Sequence, residues 1–168
     1  MATGFQQTVN LQQAAAVAGD FASANPRNSV VSHEGTLVAG ATGVTVGRFA
    51  WATGAGLVSN AGSGVPTGFV HRRQGSALIT TYLGETSNLI PQGFEVTLMA
   101  TGDYWVAPIT NAATVGQKVF ASLTTGEIQG AAAGATVAGY IETLYTISGF
   151  PVGGTGAVGE LVVMSRHV

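Results

Sequence analysis

From residue 30 onward, apolar and polar positions alternate in short runs: SVVS, TLVAG, VTVGRFAWA, SALITTYL, FEVTLMA, DYWVAPI, QKVFASL, AGYIETLYTI and ELVVMSR. These runs are rich in Val, Ile, Thr and aromatic residues, and Gly, Pro, Asn and Thr clusters separate them. Many short strands between turn signals predict an all-β domain, an antiparallel β-barrel or a jelly-roll-like sandwich. No amphipathic helical period appears after residue 20. Before it, Gln and Ala favour a short helix around Leu11 to Ala18, which Gly19 would stop. Asp20, Asn25, Pro26, Asn28 and Ser29 are turn and breaker residues. The expectation is an irregular, partly helical N-terminal arm over 1–30 and a single β domain over 31–168.

Two stretches of the β region resemble each other. VGRFAWATGAGLVSNAGSGVPTGFV (46–70) and VGQKVFASLTTGEIQGAAAGATVAGYI (115–141) both open on Val-Gly and an aromatic–Ala strand. Both pass through Gly and an aliphatic residue, then end in Gly-aromatic-aliphatic. An internal duplication predicts two equivalent hairpin units and marks the stretch as scaffold rather than site.

Composition changes the picture at the surface. Of 168 residues only 8% are charged, against an average near 25%, and 25 are Gly. Dispersed charge normally keeps a free monomer soluble. So little of it points to a surface covered by partners or by copies of itself, or to solubility through neutral Ser, Thr and Gly. Six basic residues argue against sequence-independent nucleic-acid binding. Without cysteine there are no disulfides and no thiolate metal sites. The start MATGFQQTVN lacks the pattern of a signal peptide. The apolar runs fall short of the ~18 residues a membrane-spanning helix needs.

Catalytic chemistry finds little purchase. His33, His71 and His167 lie far apart, so no metal site is expected. Gly154 to Gly159 fits G-x-G-x-x-G, but a strand-like ELVVMSR follows where a dinucleotide site needs a helix. The carboxylate pairs Glu85 with Glu95 and Asp103 with Glu142 have no spacing that forces them together. His71-Arg72-Arg73 is the basic cluster. It suits either a partner's carboxylates or the guarding of an edge strand. Arg48 carries the same ambiguity. Trp51, Tyr104 and Trp105 suit core positions, with sugar stacking as the alternative use.

The segment GDFASANPRNSV (19–30), followed by LVAG (37–40) and GRFAW (47–51), resembles the structural cement, or decoration, proteins of tailed-bacteriophage capsids. Gly68 to Arg72 and Gly116 to Ile128 extend the likeness over most of the chain. The resemblance implies a non-enzymatic protein without cofactor or metal, on the outer surface of the virion capsid. Its partners would be the major capsid protein and itself, as a homo-oligomer with a trimer favoured over a dimer. No nucleic acid or membrane is implied. The candidate capsid or oligomer contacts are Phe5, Phe21, Asn25, Pro26, Arg27, Arg48, Trp51, Arg72 and Arg73. A carbohydrate-binding head-fibre or tail module is the alternative.

Overall fold

In the FAWA run, Phe49 and Trp51 point to one side of a strand and Ala50 to the other, as the two-residue period of extended chain requires. Both sides are buried, so this strand carries apolar residues at successive positions. The computed structural model describes residues 15–32, 35–73, 88–106 and 110–167. Among these the regular elements are all strands. In the first half they are β1 (Val38–Ala39), β2 (Val44–Thr45), β3 (Phe49–Ala52), β4 (Leu57–Ser59), β5 (Gly68–Val70), β6 (Leu89–Ile90) and β7 (Leu98–Met99). In the second they are β8 (Gly102–Val106), β9 (Lys118–Ser122), β10 (Ile128–Ala131), β11 (Tyr140–Gly149) and β12 (Val162–Arg166).

Two five-stranded sheets form, in the orders β1-β4-β3-β5-β7 and β10-β9-β11-β12-β8, with β2 and β6 as a separate ladder. All pairs are antiparallel except β1 with β4. The sheets face each other across an aromatic layer. Phe49 meets Phe69 at 5.5 Å and Tyr145 at 5.6 Å, and Phe69 meets Tyr104 at 4.9 Å between ring centroids. Each such pair contributes about 0.5–1.5 kcal/mol beyond the area it buries. On its other face the first sheet buries Ala50, Val58, Val70 and Leu98 under Val44, Leu37 and Val96. The expected all-β class holds, as a sandwich.

The two stretches that resemble each other fold alike. Each places its first strand between the other two, as β4-β3-β5 and as β10-β9-β11. The hairpin registers correspond: Trp51 opposes Ser59 and Ala52 opposes Val58, while Phe120 opposes Gln129 and Ala121 opposes Ile128. The third strands differ, because β11 is bulged between Glu142 and Thr146. There the Thr143 hydroxyl donates to the Val119 carbonyl at 2.7 Å. The turn of the second hairpin docks on the first unit, where the Phe49 N–H donates to the Gly126 carbonyl at 2.9 Å.

The helix expected at Leu11 to Ala18 is not formed in its described part, residues 15–18. A tight turn takes its place. The Asp20 N–H donates to the Val17 carbonyl, the Asp20 carboxylate accepts from the Val17 N–H, and Gly19 sits at φ +92°. From there the backbone bonds across to β8 instead of along itself. The Gly19 and Ala22 N–H groups donate to the carbonyls of Trp105 and Asp103, and the Trp105 N–H returns a bond to Asp20. Further on, Val30 donates to Leu98 and Ala100 donates to Asn28. Residues 19–30 thus form a strap along the open edges of both sheets, at β8 and then β7. Their unpaired backbone groups would otherwise be free to pair with another chain.

Candidate functional site

Asp103 organises the middle of the strap. Its carboxylate is nearly buried and accepts from Ser23 Oγ at 2.5 Å and Asn25 Nδ2 at 2.7 Å, while His167 Nε2 lies 2.9 Å away. Burial pushes this acid up, but hydrogen bonds from Ser165, Ser23 and Asn25, with the charge of His167, hold it below its usual value. A carboxylate that accepts several bonds is stabilised as the anion, so the strap is fastened by a charge.

Beside it, the Phe21 ring fits between three groups. Tyr104 is 5.5 Å away and His71 5.1 Å between centroids, and the Arg27 guanidinium carbon lies 3.9 Å above the ring. The Tyr104 hydroxyl donates to the Thr101 carbonyl at 2.8 Å, and burial pushes its pKa up. Burial lowers the pKa of His71, and Arg73 and Arg27 lower it further, against a backbone hydrogen bond with Thr97. Arg72 turns inward to Asp20 at 3.2 Å, whereas Arg73 is exposed. Asn25 and Pro26 line a cleft of about 350 Å³ with Asn28, Thr101 and His167.

The fold therefore gathers Phe21, Asn25, Pro26, Arg27, Arg72 and Arg73 on or beside the strap. Phe5 lies outside the described residues, as do His33 and Glu85. Arg48 and Trp51 sit elsewhere. Arg48 binds Glu127 at 2.8 Å and the Thr125 carbonyl at 3.3 Å, tying the start of β3 to the β9–β10 turn. Trp51 is buried; its ring covers Gly62, and its Nε1 donates to the Gly64 carbonyl at 3.0 Å. Sequence reading passed over the fastening role of Asp103 and its partners. Ser23 and Asp103 stand 80 positions apart, and no local pattern announces such a pair.

The other described candidates are engaged one by one. Asp103 and Glu142 are engaged separately, the second with the Gly134 N–H at 2.7 Å. Among the described residues no three His, Asp or Glu side chains converge to hold a metal ion. The G-x-G-x-x-G string joins the antiparallel strands β11 and β12. Its N–H groups at Thr155 and Ala157 are taken by the chain's own Glu160 carboxylate, at 2.8 and 3.1 Å. Those bonds lower the pKa of Glu160. The anion position of this loop is already filled.

Among solved structures, a chain from the capsid of Myoviridae phage XM1 has the same fold, with a TM-score of 0.65 over 96% of both chains at 18% identity. No curated protein matches the sequence. Residues 5–166 match the family described as XM1 gp53 minor capsid protein. That match spans the strap, both sheets and the strand that ends at Arg166, and by it the chain belongs to the XM1 gp53 minor capsid protein family.

Proposed function

We propose that the chain is a non-enzymatic capsid protein that decorates the outside of the phage head and cements neighbouring major capsid subunits. The observation that carries this reading is the match to a minor capsid family from residue 5 to residue 166. The nature of the surface supports the finer step. Of the few charges, Arg48 with Glu127 and Arg72 with Asp20 are paired within the chain, and Asp103 accepts from Ser23 and Asn25. Large apolar side chains such as Val31, Val65 and Val152 stand out in solvent. A neutral surface of this kind gains affinity from many weak contacts repeated over a lattice. The carbohydrate-binding alternative needs exposed aromatic rings. Among the described residues Trp51, Tyr104 and Tyr145 are buried and Trp105 and Tyr140 are half-buried, which leaves Phe94 as an exposed ring with no second one beside it in sequence.

Cryo-electron microscopy of intact particles tests the proposal. The expected result is density for this β sandwich outside the shell, bridging adjacent subunits at symmetry-related positions. Density confined to the interior of the head, or to the tail, would refute it.

A further inference from the structure

Arg27 is held in place from both sides. On one side the Asn25 side chain is fixed to Asp103 at 2.7 Å, and Pro26 then restricts the backbone leading into Arg27. On the other, the Asn28 N–H donates to Thr101 Oγ1 at 3.0 Å and the Asn28 carbonyl accepts from Ala100 at 2.8 Å. The guanidinium lies 3.9 Å over the Phe21 ring, so one flat face is covered by carbon. An arginine stacked in this way keeps its N–H edges free, in the fork that matches a carboxylate. Arg73 is exposed nearby, and both arginines press electrostatically on His71, whose ring packs against Phe21 at 5.1 Å.

The local acids do not answer these two cations. Asp20 is committed to Arg72, and Asp103 to Ser23, Asn25 and His167. Among the described residues Arg27 and Arg73 have no carboxylate partner. Among the described residues a second copy of the chain offers one exposed carboxylate, Glu95, for two arginines, since Glu127, Glu142 and Glu160 are each engaged within their own chain.

We infer that the strap face is a preorganised docking site for carboxylates on the acidic surface of a different protein, with Arg27 and Arg73 as its paired anchors. The inference rests on the capsid reading above and names the chemistry of the contact. The partner is a shell subunit presenting Asp or Glu side chains opposite the strap. Fixing Arg27 before binding reduces the side-chain entropy that docking would otherwise cost. Charge pairs at such a rim set the association rate and its salt dependence.

The test measures binding of the purified chain to phage shells assembled without it, across a range of NaCl concentrations. Wild-type binding is expected to weaken with salt and to be displaced by poly-L-glutamate. R73E, at an exposed position, and R27E/R73E should fold, as thermal melting checks, and the double variant should bind about tenfold more weakly with a flatter salt dependence. A folded R73E and a folded double variant that both bind like wild type would overturn the inference and leave the capsid reading standing. Wild-type chain that ignores the shells would overturn both. Retention of the chain on duplex DNA at physiological salt, lost in the double variant, would overturn the carboxylate assignment in favour of phosphate.

Discussion

Asp103 is a charge built into the fold. It is nearly buried, and the donors around it, Ser23, Asn25 and His167, come from the strap and from the end of the chain. Asp103→Asn puts an N–H₂ group among those donors, which should cost about 1–3 kcal/mol of stability in a denaturant titration. The pH dependence follows from Asp103 and His71, with the surface carboxylate Glu160, also lowered, adding to the acid stage. The folded pKa of Asp103 lies below its usual 3.8, so its stabilisation is full above that value and is lost as pH falls through the folded pKa. His71 is also lowered, from 6.5; the fold disfavours its protonated form, and stability declines as pH drops below that value. Denaturation midpoints measured against pH should therefore fall in two stages, one beginning near 6.5 and one below 4.5. Asp103→Asn should reduce the second stage and leave the first. Gly126 is a different kind of constraint. It holds φ at +68°, and a Cβ there would collide with the Phe49 carbonyl oxygen. Gly126→Ala is expected to cost more than about 2 kcal/mol, which would lower Tm by about 5 °C or more for a chain of this length.

At the scale of elements, the strap closes what the sheets leave open. Removing residues 1–30 would expose the β7 and β8 edges and take Phe21 from Tyr104, so loss of the soluble fold is expected. Thermal melts with size-exclusion chromatography read that loss. An unchanged melt after removal of 1–30 would contradict the structural role given to the strap. The strand-rich character was readable, because FAWA, DYWV, KVFAS and LVVMSR are apolar and β-branched runs bounded by glycines. The short strands at Leu57–Ser59 and Leu89–Ile90 were not picked out, since two or three residues carry no measurable period. The strap was legible only as irregular chain. Its backbone partners lie on β7, on β8 and between them, from Val30 with Leu98 to Gly19 with Trp105, far along the chain, and breaker residues such as Asn25 and Pro26 say nothing of what they will pair with. For the same reason His71-Arg72-Arg73 read as one basic cluster, whereas the fold divides it into a stacked ring, an internal ion pair and an exposed cation.

The whole molecule combines a well-filled interior with a surface of unusual neutrality. Aromatic rings fill the space between the sheets, so this interior has no need of another chain for its packing. The surface differs. Only 8% of residues are charged, several of those pair internally, and Val152 and Val31 are among the exposed apolar side chains. Such a chain resists association poorly when free, because repulsion between like charges is weak near its pI of about 5.8. Association that closes on itself buries apolar surface without running on into aggregates, and closed assemblies are usually symmetric. We propose a trimer, with a dimer as the next candidate. Light scattering of the purified protein at pH 7.5 should then give three times the 16.9 kDa chain mass. Because few charges oppose the contact, added salt should leave that mass unchanged, although salt weakens docking through Arg27 and Arg73. A mass of one chain at tens of micromolar would refute self-association. A trimer that dissociates in salt would place charge, rather than apolar surface, at the contact between copies.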